Sequence, residues 1–350
     1  MHEDWIDRWK GILILLVVLG HVAGGGENLW KGGADASTLG IIREIIYAFH
    51  MPAFFLLAGM CWRSKGGWTE FLKKKAFRLL VPYVVFAVLS WVVFDAVYGT
   101  WRDAGWQFLS IAHGGNWPDG AGFKCNSVLW FPPVMFVVLV LYRVIAENIG
   151  SKVVLCKCAI CLLLWFIRVL CCRYRVLFLP GGFDLVLWYF PYFIIGTMVG
   201  GSLRGAKAWK LGLMALAAFA GIWIARMYFP PHRLASFRGF SYAISLALAG
   251  SCLSLAVSKS SLWDKPCLAW CGRALARLGV ASMGIMLIHK FPVVALQERV
   301  GTIRDLFVDN TLAVLVGMVL VTAAAAAVGY FGTLILRRFL PMAIGERNRP

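Results

Sequence analysis

Apolar runs long enough to cross a membrane recur from one end of this chain to the other. They fall near residues 6–24, 39–62, 78–99, 127–146, 152–171, 184–203, 208–229, 239–258, 276–297 and 311–336. Roughly 20 helical residues, rising about 1.5 Å each, cover the hydrocarbon thickness of a bilayer. Backbone amides in lipid find no water, so such runs must close their hydrogen bonds internally, as helices. The expected fold class is therefore all-α, a polytopic transmembrane helical bundle of about ten spans. It is expected to form a single integral-membrane domain over residues 1–350, with no appended soluble domain.

The chain carries 35 Lys and Arg against 17 Asp and Glu, a net charge of +18. In a soluble domain that excess would suggest nucleic acid. Here the basic residues collect in short loops between apolar runs, as the positive-inside bias requires, and no nucleic-acid motif is present. The expected partner is the lipid bilayer, and nucleic acid is excluded. Arg63, Lys65, Lys73, Lys74, Lys75 and Arg78 crowd one loop, which orients that loop and both termini toward the cytoplasm. An inner-membrane protein follows. Glu3, Asp4 and Asp7 spoil the basic start of a cleaved signal peptide, so the first run is expected to be retained. Cys158 and Cys161 form a C-x-x-C spacing, but no second pair completes a zinc site. No metal is expected.

Polar residues inside apolar runs are costly in lipid and mark function by default. The first run reads WIDRWKGILILLVVLGHV. Lys10 and His21 are eleven residues apart, about 1100° of helix, or three turns plus roughly 20°. They share a face, separated by about 16 Å along the axis, and Asp7 joins that face one turn earlier. The second run, IIYAFHMPAFFLLAG, holds His50 just before Pro52. Pro52 frees a backbone carbonyl, so His50 either caps the kink or serves a site. Phe54, Phe55 and Gly59 suit close helix packing. The third, KKKAFRLLVPY, carries Lys73, Lys74, Lys75 and Arg78 ahead of Pro82. The ninth, SMGIMLIHK, places His289 at its outer end. Trp130 in SVLWFPP suits either a sugar-stacking platform or an interfacial aromatic belt. His2, His113 and His232 read as loop residues.

The run DRWKGILILLVVLGH resembles the opening of the membrane acyltransferase 3 family. FHMPAFFLLAG is similar to that family's second-helix signature, and KAFRLLVP to its basic third-helix entry. NSVLWFPPVMF, YFPYFIIGTMVG and GVASMGIMLIH resemble later landmarks, in the expected order, over about residues 5–345. The resemblance implies an acyltransferase that transfers groups other than aminoacyl groups. Such enzymes move an acyl group, usually acetyl, from acyl-CoA to a hydroxyl, mostly of surface glycans or other extracytoplasmic acceptors. Acetyl-CoA is then a co-substrate, and no bound cofactor is implied. The family's basic residue and histidine of helix 1 fall on Lys10 and His21. Many members carry Arg where this chain has Lys10, and an ammonium is a point charge without the guanidinium fork.

On this reading His21 is the general base that deprotonates the acceptor hydroxyl. Lys10, Lys73, Lys74, Lys75 and Arg78 are the candidates for gripping the CoA headgroup. Asp7, His50, Trp130 and His289 are the candidates for acceptor binding or site support. At about 21 Å along the helix, Asp7 is too far to orient His21. That partner must come from another helix, and the sequence does not name it. Two other classes stay open. One is an exporter of a glycan or other polar substrate, whose usual mark is paired repeats with broken helices; neither is visible in the sequence. The other is a non-catalytic membrane scaffold. Acceptor identity, acyl length and oligomeric state are not legible.

Overall fold

The computed structural model describes residues 3–24, 36–63, 66–98, 126–148, 153–174, 182–228, 237–299 and 311–347. The expectations for His2, His113 and His232 lie outside these residues. Among the described residues the chain is helical, without strands. The helices are α1 (Asp4–Gly24), α2 (Ala36–Met60), α3 (Trp68–Tyr98), α4 (Phe131–Asn148), α5 (Val154–Arg173) and α6 (Phe183–Gly205). They continue as α7 (Ala208–Tyr228), α8 (Phe237–Ser258), α9 (Ala269–Val280), α10 (Ser282–Ile288), α11 (Lys290–Arg299) and α12 (Thr311–Phe339).

Among the described residues, seven helices are long and apolar enough to cross a membrane, or eight if one bent pair counts as a span. This is an integral membrane protein, with fewer such helices than the ten expected. Two of the apolar runs fall short for different reasons. The first turns of α1 carry Asp4, Asp7, Arg8 and Lys10, and in α7 the described side chains end at Trp223. The ninth run also differs from expectation. It begins at Ala269, not near 276, and breaks at Ala281, bending by 69° between Ala269–Val280 and Ser282–Leu296. A broken helix is thus present where the sequence displayed none. The Arg337 guanidinium donates to the Val280 carbonyl at 2.9 Å, satisfying an acceptor at the end of α9.

Packing divides the chain into two units. The first comprises Met1–Met51, Lys207–Gly221 and Leu246–Phe339. Within it α1 lies directly on α9. A side chain at Gly11 would strike the Leu275 carbonyl, and one at Gly279 would strike the Asp7 carbonyl. Two glycines, one from each helix, let the backbones touch, the usual device where lipid offers no hydrophobic drive for helix pairing. Trp9 is fully buried beside them, and its indole N–H donates to Ser254 Oγ at 3.0 Å. On the other side of the break, Gly284 of α10 admits the Thr333 side chain of α12.

The second unit comprises Pro52–Ala206, Ile222–Ser245 and Leu340–Pro350. Here the Pro52–Met60 part of α2 meets α6 through the same device: Gly59 abuts the Phe193 carbonyl and Gly196 the Leu56 carbonyl. The close packing expected of Gly59 is therefore present. Phe55, Tyr189 and Trp130 stack in sequence, with centroids 4.8 Å and 5.1 Å apart. Behind them a buried relay runs from α5. Lys157 Nζ donates to Tyr142 Oη at 3.0 Å, Tyr142 Oη to Thr197 Oγ1 at 2.9 Å, and Thr197 Oγ1 to the Ile194 carbonyl at 2.7 Å. Leu155, Leu162, Leu163 and Phe166 on α5 are exposed, which would be a liability in water but suits a lipid-facing helix.

Candidate active site

The polar residues that stood out in three apolar runs converge in the first unit. His21 comes from near the C-terminal end of α1, His50 from α2, and His289 from the junction of α10 and α11. The rings of His21 and His289 are 5.4 Å apart, centroid to centroid. Tyr47 lies 5.9 Å from His21 and 5.3 Å from His50. Arg43, one turn back on α2, sits over the Tyr47 ring at 5.5 Å.

Burial separates the three histidines. His50 is 5% exposed and His289 0%, whereas His21 keeps an intermediate exposure. Part of the His21 side chain is thus left accessible where its two neighbours are closed off. His289 is fully buried within the protein, beside the His21 ring.

The ring nitrogens are chemically distinct. His289 Nδ1 lies 2.9 Å from the Ile285 carbonyl, and His50 Nδ1 lies 2.6 Å from the Ile46 carbonyl. A carbonyl only accepts, so both Nδ1 atoms carry the proton and both Nε2 atoms keep a lone pair. His50 therefore bonds Ile46 and not Ala48, whose carbonyl Pro52 leaves without its usual donor, so its expected role in capping the kink is not what the geometry gives. His289 Nε2 is buried without a hydrogen-bond partner among the described residues. Such an atom in a native interior asks for an explanation, and a role toward substrate is one.

Lys10 and Asp7 share a face of α1 as the helical arithmetic required, and they pair at 2.9 Å. Lys73, Lys74 and Arg78 are exposed on α3 in the second unit, and Lys75 lies over the Phe71 ring at 5.8 Å. Trp130 has one face against Tyr189, so its role as a sugar platform is reduced to the opposite face. Cys161 is buried with its Sγ 3.8 Å from the Pro191 carbonyl, while Cys158 is exposed. Sequence reasoning missed Tyr47. An aromatic in an apolar run looks like packing. The available signal was its spacing, three residues before His50, which puts the two on one helix face.

Residues 3–330 match an acyltransferase domain. The chain belongs to the acyltransferase 3 family and is a membrane acyltransferase. No curated protein matches it, and no solved structure does.

Proposed function

We propose that the chain is an O-acyltransferase of the cytoplasmic (inner) membrane, with both termini cytoplasmic. It moves an acyl group, acetyl in the simplest case, from acyl-CoA to a hydroxyl of a cell-surface glycan or similar extracytoplasmic acceptor. The observation that carries this reading is the partly open imidazole of His21, within a cluster of otherwise buried imidazoles, in a chain of an acyltransferase family.

A thioester is already activated, so the protein has chiefly to remove the hydroxyl proton and stabilise an oxyanion. His21 takes the proton as the acceptor oxygen attacks the thioester carbonyl carbon. A carbon–oxygen bond forms. The tetrahedral intermediate then collapses, the carbon–sulfur bond breaks, and the imidazolium returns its proton to the CoA thiolate. The products are an ester and free CoA, and the base is regenerated. His289 Nε2 is closed off as the helices stand, so its lone pair meets a second hydroxyl of a polyhydroxylated acceptor only once the packing around it opens. His50 supports the cluster through the Tyr47 ring. Asp7 holds Lys10, which must share that carboxylate to reach a donor phosphate. Lys73, Lys74, Lys75 and Arg78 are proposed as further contacts of the donor phosphates, and Trp130 as an acceptor contact through its free face.

The test is transfer of labelled acetyl from acetyl-CoA to a panel of surface glycans by protein in nanodiscs. Wild-type transfer that disappears in a folded His21→Ala variant supports the reading. Transfer that survives the substitution removes His21 as the base. If neither protein transfers acetyl and CoA compounds fail to raise the Tm, acyl-CoA is not the donor.

A further inference from the structure

We propose that Tyr47 is the positioning residue for His21, holding the imidazole in the tautomer that leaves Nε2 bare. This deepens the reading of His21 as the base and rests on it only for its catalytic consequence. The count of available protons sets the direction of each bond. Tyr47 Oη lies 3.1 Å from the Gly20 carbonyl and 3.3 Å from His21 Nδ1. A phenol has one proton to donate, and a carbonyl can only accept. The proton therefore goes to Gly20, and the phenol oxygen accepts a hydrogen bond from His21 Nδ1–H. With Nδ1 protonated, the neutral ring presents its lone pair at Nε2.

His50 and His289 reach the same tautomer by a different route, each donating Nδ1–H to the carbonyl four residues back in its own chain. For His21 the corresponding acceptor is a hydroxyl from α2. Gly20 makes the arrangement possible: a Cβ there would lie 2.7 Å from Tyr47 Cε1, closer than real contacts permit. The dipeptide Gly20–His21 thus supplies both ends of the bridge, a carbonyl to take the proton of Tyr47 and a ring nitrogen to donate to its oxygen. A base fixed this way has its acceptor nitrogen aimed before substrate arrives, which is worth most when the bound geometry must be near-attack.

The experiment compares wild type, Tyr47→Phe and His21→Ala, each ¹⁵N-histidine labelled in nanodiscs. Phenylalanine keeps the ring against Gly20 and His50 and removes only the hydroxyl, so folding is retained. The His21 resonances are those lost in His21→Ala. A wild-type Nδ1–H tautomer that becomes mixed in Tyr47→Phe supports the inference, and it is read without any assay of transfer. A wild-type Nε2–H tautomer overturns it, and so does an Nδ1–H tautomer unchanged in Tyr47→Phe. In the transfer assay, Tyr47→Phe is expected to lower kcat on the order of 10- to 100-fold with the acetyl-CoA KM unchanged. Added to His21→Ala, it should cost nothing further. If wild type transfers no acetyl but the tautomer result holds, the functional reading fails and the positioning by Tyr47 stands.

Discussion

The two units each bury a polar network, and the networks end differently. In the second, the relay from Lys157 through Tyr142 and Thr197 terminates on the Ile194 carbonyl. Each hydroxyl in it both accepts and donates. In the first, the histidines have their Nδ1 atoms accounted for, but His289 Nε2 ends on nothing among the described residues. A network that closes on itself can rigidify a core but has no free valence for a substrate. A network with an open acceptor stays incomplete until a donor arrives. The contrast applies to these two networks and not to every buried atom, since Tyr192 Oη in the second unit also lacks a hydrogen-bond partner among the described residues. It lies among the rings of Trp165 and Trp188.

The largest effects are expected where one substitution in each network has opposite consequences. His21→Ala in the open network is expected to lower kcat about 100- to 10,000-fold, roughly 3–5 kcal/mol of barrier, with little change in Tm. Labelled-acetyl transfer alongside a thermal melt in nanodiscs reads both. Tyr142→Phe in the closed network should do the opposite. It leaves Lys157 Nζ without this acceptor and costs about 1–3 kcal/mol of stability, while kcat per folded molecule stays at the wild-type value. A Tyr142→Phe variant that loses turnover but not stability would mean the closed network is not merely structural.

A finer distinction lies within the open network. His289→Leu removes the unpartnered Nε2 and substitutes an apolar side chain. The expected result is an acceptor KM raised about tenfold, as for one lost hydrogen bond of about 1.4 kcal/mol, with the acetyl-CoA KM unmoved. Steady-state kinetics with each substrate varied in turn separate the two. The smallest effect is expected at the exposed cations. Lys73→Ala and Lys74→Ala together should raise the acetyl-CoA KM a few-fold, roughly 1 kcal/mol or less in total, and the difference should shrink in high salt. A change in kcat instead of KM would remove these residues from donor binding.

Most of the helical architecture was legible because lipid permits few alternatives: long apolar runs must be helices, and their positions match α1, α2, α4 through α8 and α12 closely, whereas α3 begins at Trp68, well ahead of its apolar run. What escaped was the break at Ala281. No proline marks it, and the residues around it, Gly279, Ala281 and Ser282, are small enough to read as ordinary packing. The histidines themselves were visible as polar intrusions in apolar sequence. Their convergence was not, because one chain carries no record of which helix faces which. Tyr47 was hidden for a third reason: its ring belongs to the core, and only its hydroxyl takes part in the polar cluster.

The glycine contact between α1 and α9 has a mechanical meaning. With Gly11 against the Leu275 carbonyl and Gly279 against that of Asp7, the two backbones interlock like notched rods. Sliding α1 by one residue, or turning it by about 100°, would drive a side chain into main chain at both notches. His21 rides on that rod about 15 Å beyond Gly11. The imidazole is thus carried on a rod keyed to α9, and any movement of His21 relative to α9 along or around that axis has first to unlock both notches.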